Sequence, residues 1–322
     1  MKQFYLKLFS AAATSLALFS SISQAADYPK KPIELIVGYG AGGGVDMCFR
    51  TMANEISKAL DNSMIVINRP GAGSSLSIGH LVRQKPEGYV IGTLATGAVL
   101  NQFFIDDIEY DVLEDLEPIG MVALFQAGLV VRNDGSYKSI HDVINYAKEN
   151  PGMAYSTAGI GTPQHLTMER LAEIAGVDFV HVPYNNGPEA ILALQRGDVD
   201  FMSQTAEWVP YVRDGSLKAL AVFTEQRMEG FEDVPTLIEE DFDIIAPSML
   251  GVVGPKGIPS EKVKVLQNAF QQALNTEDVI NCANQFGWKV DFKTAEQFGK
   301  HIKETVEDWG EITTEISKTT NN

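Results

Sequence analysis

The sequence feature that most constrains the fold is a strand, a glycine-rich turn and a helix in direct succession. Ile33–Val37 is an apolar run of strand length, and glycines follow it at positions 38, 40, 42, 43 and 44. Apolar residues then recur at helical spacing over residues 45–60. Glycines allow positive φ and close approach of a ligand, while a helix start presents unpaired N–H groups and partial positive charge. The unit predicts an anion site, equally suited to phosphate and carboxylate.

A second unit of the same kind occurs in the other half of the chain. Residues 153–157 predict a strand, and a turn with two glycines follows over residues 158–162. Thr162 suits the N-cap position of the next helix, and Pro163 suits its first residue. The sequence therefore predicts two anion-binding helix starts, one in each half.

Segments with strand and helix character alternate along most of the chain, which predicts an α/β fold with parallel strands. Ligands of such sheets bind beyond the carboxyl ends of the strands. Ala95 and Thr96, at the end of the third predicted strand, are therefore candidate pocket residues. The 322-residue length is enough for about two domains.

The first 25 residues have the pattern of an export signal. Lys2 and Lys7 precede an apolar run too short to span a bilayer, and Ser23-Gln24-Ala25 is a small-x-small cleavage pattern. We expect cleavage after Ala25 and a mature protein that is soluble in the periplasm.

The net charge of −17 argues against nucleic acid as a partner, because such a protein needs a basic face. Cys48 and Cys282 are the two cysteines. They could pair in an oxidising compartment, or remain two buried free thiols. The sequence leaves both open, and we favour the thiols.

Signals for an enzyme are weak. Residues 38–43 match G-x-G-x-x-G, but the next predicted strand ends at Asn68 and Arg69 instead of the acid that a dinucleotide site needs. A G-x-S-x-G motif is absent, and the five histidines are scattered without metal-binding spacing. His165 follows the second turn, where local hydrogen bonding is favoured over ligand contact, and Asp46 is interpreted as a helix cap. We expect no catalytic residue, metal or cofactor.

Seven short motifs occur in an order typical of one family: YGAGGGVD at 39–46, NRPGAG at 68–73, PEGY at 86–89, STAGIGTPQHL at 156–166, HVPY at 181–184, GDVD at 197–200 and DVPT at 233–236. Together they cover nearly the whole mature chain. At these residues the sequence resembles the extracytoplasmic solute receptors of tripartite tricarboxylate transporters, also called the Bug family.

The resemblance implies a type II periplasmic-binding-protein fold of two α/β lobes with a ligand cleft between them. We expect residues 26–124 and 249–322 in the first lobe and residues 125–248 in the second. It further implies that a small carboxylate, such as a di- or tricarboxylate, is held by the two turns and delivered to a large and a small membrane subunit. We expect a monomer.

Carried over position by position, the resemblance predicts ligand-binding residues in four loops. They are Tyr39, Gly40, Ala41, Gly42, Gly43, Gly44, Ala95, Thr96, Gly159, Ile160, Gly161, Thr162, Gln164, Ser203, Gln204 and Thr205.

The chain departs from the family pattern at a few positions. Val45 stands where a threonine is usual, Gly38 and Gly40 replace the commoner proline and alanine, and Trp208 is interpreted as a core residue. The main hypothesis is a binding receptor. An exported α/β enzyme acting on a carboxylate or phosphate ester and a sensor component are the alternatives.

Overall fold

The structure is a computed structural model that describes residues 28–184 and 186–320, with backbone alone for residues 319 and 320. The predicted signal peptide, residues 1–25, lies outside the described residues.

Eleven strands are described in chain order: β1 Ile33–Val37, β2 Met64–Asn68, β3 Val90–Ala95, β4 Leu116–Phe125, β5 Ala127–Arg132, β6 Met153–Thr157, β7 Phe179–Pro183, β8 Phe201–Thr205, β9 Leu217–Val222, β10 Leu250–Pro255 and β11 Trp288–Thr294.

The helices of the described chain connect and cover these strands: α1 Gly44–Ala59, α2 Ser75–Leu81, α3 Thr96–Phe104, α4 Ile140–Glu149, α5 Pro163–Ala175, α6 Gly187–Arg196, α7 Val209–Arg213, α8 Ser260–Ala273, α9 Glu277–Gln285 and α10 Ala295–Thr320. Short 3₁₀ turns at Ala72–Ser74 and Ala206–Trp208 precede α2 and α7.

The strands form two separate sheets. The first has the order β11-β4-β10-β3-β1-β2, and the second has the order β7-β6-β8-β5-β9. β1 runs parallel to β2 and β3, and β6 runs parallel to β7 and β8, whereas β10 and β5 pair antiparallel with their neighbours. The predicted α/β class is confirmed.

The chain passes between the sheets twice. Gln126 alone separates β4 of the first sheet from β5 of the second, and residues 223–249 lead from β9 back to β10. The lobe boundaries given above stay a prediction.

A disulfide joins two helices that pack beside the first sheet. Cys48 of α1 and Cys282 of α9 are bonded, 234 residues apart in sequence. Cys48 is fully buried beside Phe49 and Met52, in the core that α1 shares with the sheet. Our preference for two free thiols is wrong, because the packing of α9 on α1 brings together two cysteines that are distant in sequence.

Polar side chains cap several of the helices. The Ser139 hydroxyl accepts from the Asp142 N–H while the Asp142 carboxylate accepts from the Ser139 N–H, which completes a capping box. Thr162 caps α5 and Thr294 pairs with Gln297 before α10. These polar side chains stabilise helix starts by satisfying N–H groups without a partner inside the helix.

Candidate ligand-binding cleft

A cavity of about 1380 Å³ lies between the two sheets. Its inner wall is formed where parallel strands of both sheets end and helices begin, at the starts of α1, α3, α5 and α6. Gly43 and Thr162, from the two glycine turns, line the same cavity. Several partly positive helix ends therefore surround one space, an arrangement suited to an anion.

The first turn is held in place by Asp46. Its Oδ2 accepts from the Gly42 N–H at 2.9 Å, and its Oδ1 accepts from Asn68 Nδ2 at 2.8 Å and lies 2.9 Å from Arg50. Burial would raise the pKa of Asp46, but the hydrogen bonds from Arg50, Gly42 and Asn68 lower it on balance. The interpretation of Asp46 as the helix cap is wrong, because the N-cap residue is Gly43 and Asp46 lies in the first helical turn, where it accepts from the Gly42 N–H.

The second turn is held by Thr162. Its hydroxyl donates to the Gly159 carbonyl at 2.8 Å and accepts from the His165 N–H at 3.3 Å. Gly159 and Gly161 have φ of +144° and +70°, a region that favours glycine. Because its hydroxyl is used within the turn, Thr162 shapes the site through the backbone.

Two histidines lie behind the second turn. The rings of His165 and His181 stack with centroids 4.1 Å apart, and His165 Nδ1 accepts from the Gly161 N–H at 3.2 Å. Burial and then repulsion from His181 lower the pKa of His165 to about 3, and burial lowers that of His181 to about 4. Both rings are therefore neutral near pH 7, and the 3.6 Å approach of His165 Nε2 to Glu169 is not an ion pair. His165 supports the turn from behind, in agreement with the local role favoured for it.

Helices of the two halves also touch beside the second turn. Phe104 of α3 packs edge-on against His165, with centroids 5.6 Å apart. A Cβ added at Gly161 would overlap Asn101 Oδ1, so α3 lies directly against this turn. The two halves of the molecule meet at the place where the second turn faces the cavity.

The predicted ligand-binding residues divide into two sets. Those that line the cavity are Tyr39, Gly40, Gly43, Gly44, Ala95, Thr96, Thr162, Gln164, Gln204 and Thr205. Those that do not are Ala41, Gly42, Gly159, Ile160, Gly161 and Ser203. Ser203 lies within β8, together with Gln204 and Thr205, and not in a loop as predicted, because the strand continues to the edge of the cavity; the Ser203 hydroxyl donates to the Gln164 carbonyl at 2.9 Å. The direct ligand contacts of either set stay a prediction.

Neither a cluster of metal-ligating side chains nor a membrane-spanning helix occurs in the described part of the chain. Within residues 28–184 and 186–320, no three histidine, cysteine or acidic side chains group together as a metal site. Over the same residues, none of the helices is long and apolar enough to cross a membrane.

Comparison with known families decides what kind of protein this is. The model of the tripartite tricarboxylate transporter family receptor, TctC, matches residues 48–318. The chain belongs to this family. The resemblance inferred from the seven motifs is confirmed, and the protein is a solute-binding receptor by family.

Individual relatives agree with the family assignment. The receptor is 36% identical over 296 residues to the UPF0065 protein in the gbd 5' region of Cupriavidus necator, covering 92% of this chain and 90% of that one. The solved structure of the periplasmic binding protein BugD is similar with a TM-score of 0.82 and 26% identity, covering 90% of this chain and 98% of that one.

A further solved structure shares the fold. It is R. palustris Rpa4515 with adipate, at a TM-score of 0.84 and 23% identity over 91% of this chain and 99% of that one. The receptor's two sheets therefore form the fold of periplasmic solute-binding proteins, type II in kind, as the resemblance implied.

Glu207 is one of the cavity-lining residues that sequence reasoning missed. Glu207, in the 3₁₀ turn after β8, lines the cavity, and its Oε1 accepts from the Gly44 N–H at 3.4 Å. The neighbouring Trp208 is a core residue, as interpreted, and its Nε1–H donates to the Gln204 carbonyl at 3.2 Å. The available signal was the position of Glu207 just past a strand that ends at the cavity, but acidic residues are so numerous in this chain that one of them did not stand out.

Proposed function

We propose that the receptor captures a small organic acid between its two sheets and releases it chemically unaltered. The observation that carries the proposal is that two glycine turns, each followed by a helix start, line one cavity from opposite sheets. The adipate recorded with Rpa4515 supports a carboxylate as the ligand class. Di- and tricarboxylates and related organic acids are the candidates.

The binding energy of such a site can come from backbone N–H groups alone. Charge-assisted hydrogen bonds contribute roughly 1.5–3 kcal/mol each. A handful of them reaches the ~8 kcal/mol of a micromolar dissociation constant. A lysine or arginine in the turns is therefore unnecessary, and the sequences 38–46 and 158–165 contain none.

Membership of the receptor family supports a proposed route for the ligand. We propose export to the periplasm with cleavage after Ala25, two lobes with the boundaries given above, and closure of the lobes on the acid. Delivery is then to the large and small membrane subunits of a tripartite transporter by a monomeric receptor. The family is one of receptors, and we propose that this chain catalyses no reaction.

A thermal-shift panel tests the proposal. The mature protein is melted with mono-, di- and tricarboxylates, amino acids and aromatic acids, and each acid that raises the melting temperature is recovered and examined by NMR. We expect one chemical class to stabilise the protein and to be recovered unchanged. A flat panel would reject carboxylate binding, and conversion of the acid would establish the rival enzyme.

A further inference from the structure

Glu207 lies between two helix starts, one from each sheet. Its Oε1 accepts from the N–H of Gly44, the first residue of α1. Its Oε2 occupies the place where a Cβ at Gly187, the first residue of α6, would stand. A side-chain carboxylate of the protein thus already occupies the anion-binding start of α1.

Glu207 has no positively charged partner among the described residues. Removal from water raises the pKa of the Glu207 carboxyl, and the hydrogen bond from the Gly44 N–H offsets only part of that rise. The adjacent Tyr39 is neutral, because burial and the Glu207 charge raise the pKa of its hydroxyl. Glu207 is partly buried, and withdrawing a carboxylate from water is costly unless something pairs with it.

A second polar group at the same place also has no partner. Gln204 is 1% exposed and lines the cavity, yet its Nε2 has no hydrogen-bond partner within the described chain. That nitrogen would lie 2.8 Å from a Cβ at Gly187, so it is close to the Glu207 carboxylate. Gln204 Nε2 needs an acceptor and the Glu207 carboxylate needs a donor, which indicates a ligand at this end of the cavity that supplies both.

The charge of Glu207 restricts what that group can be. A second carboxylate placed beside it would meet a like charge in a partly desolvated cavity, where such repulsion is strong. A protonated amine or another cationic nitrogen would instead neutralise Glu207. The ligand's own carboxylate then belongs at the start of α5, across the cavity.

We propose that Glu207 makes this receptor specific for carboxylates that also carry a cationic nitrogen, with the nitrogen bound by Glu207. The inference rests on the proposed function and narrows its ligand class from organic acids in general to amino-carboxylates.

Matched acids test this specificity. Calorimetry compares succinate with aspartate, which adds an ammonium group to the diacid. It also compares adipate with 6-aminohexanoate and glutarate with 5-aminopentanoate, in which an aminomethyl group replaces one carboxylate. For the pair that binds best, we expect the amino member to bind at least tenfold more tightly. A diacid that binds as tightly as its amino partner would overturn the inference, since Glu207 would then be protonated and donating to it.

The variant Glu207→Gln removes the charge and keeps the shape. We expect it to lose at least tenfold in affinity for the amino member and to lose nothing for the diacid. The control is Glu149→Gln, which replaces an exposed acid at the end of α4, outside the cavity, and changes the net charge equally. It should leave unchanged the ratio of the affinities for the amino member and the diacid. An unchanged ratio in Glu207→Gln, with an unchanged melting temperature, would contradict the role of Glu207.

The binding results separate the role of Glu207 from the proposed carboxylate-receptor function. A tight ligand from the wider panel that lacks a cationic nitrogen would reject the role of Glu207 and leave the carboxylate receptor standing. Absence of binding by every acid, amino or not, would reject both.

Discussion

At the scale of single residues, Gly43 lines the cavity at a position where the backbone would accept any side chain. Its φ of −78° and ψ of 167° are open to any residue, and a Cβ there would meet only the Gly40 carbonyl at 3.6 Å. The glycine at this position is therefore not required by the backbone.

We expect Gly43→Val to fold normally and to bind its acid at least tenfold more weakly, because the side chain would enter the cavity beside the start of α1. Melting temperature and calorimetry measure the two effects. Gly79→Ala, in α2 and away from the cavity, is the control, since its Cβ would meet only Tyr110 at 4.0 Å. Normal affinity in Gly43→Val would remove the first turn from the site.

Thr162 contributes through its cap. Thr162→Ala loses the hydrogen bonds to Gly159 and His165, so we expect a loss of about 1 kcal/mol in the free energy of unfolding and weaker ligand binding by about 1–3 kcal/mol. Thr162→Ser keeps the hydroxyl and should retain both. Urea titration followed by circular dichroism and calorimetry give the values, and an unaltered affinity in the alanine variant would show that the turn does not hold the ligand.

Residue-scale prediction from sequence succeeded where a local rule applies. Thr162 was predicted as a cap because a hydroxyl directly before a proline suits the start of a helix, where it satisfies a backbone N–H group locally. Glu207 was missed because its importance depends on Gly44 and Gly187, which reach it only through the folding of separate segments.

At the scale of elements, α5 and β7 meet through the stacked pair of His165 and His181. Their pKa values of about 3 and about 4 lie below the ~6.5 of an unfolded histidine. Between pH 6.5 and 4 the unfolded chain therefore binds more protons than the folded one, and the pair's contribution to stability is lost as the pH falls.

We therefore expect the free energy of unfolding to decline on acidification from pH 7 to pH 4. His181→Gln, which can still bond to the Thr157 hydroxyl that contacts His181 Nε2 at 2.7 Å, should show a shallower decline. Urea titrations across this pH range measure both slopes. Equal slopes in the two proteins would show that His181 is not held neutral by the fold.

Elements were predicted well where the hydrophobic period is clear, as in β1 with α1 and β6 with α5. The helix α3 was missed, because Thr96–Phe104 is apolar on nearly all sides and follows β3 without a loop, so periodicity gives no signal. The edge strand β11 was missed because it pairs with β4 alone and most of its residues are only partly buried.

At the scale of the whole molecule, the disulfide and the cleft are products of long-range packing that a sequence pattern does not contain. The disulfide joins α1 to α9 and closes a loop of 234 residues that includes the whole second sheet. Its stabilising effect acts largely on the unfolded chain, which it constrains.

We expect the double variant Cys48→Ala/Cys282→Ala to lose about 2–4 kcal/mol of unfolding free energy. Ligand affinity should change little, because both cysteines lie outside the cavity lining. A reducing agent should lower the melting temperature of the natural protein and leave that of the double variant unaltered. If the melting temperature of the natural protein stayed the same after complete reduction of the disulfide, the disulfide would not stabilise the fold.

The most direct measurement is a crystal structure of the mature receptor with the acid that its panel selects. The account predicts the acid within the cleft, in contact with both glycine turns, with its carboxylate within about 3.2 Å of main-chain nitrogens at the start of α5. An acid bound outside the cleft, or against one sheet alone, would contradict it.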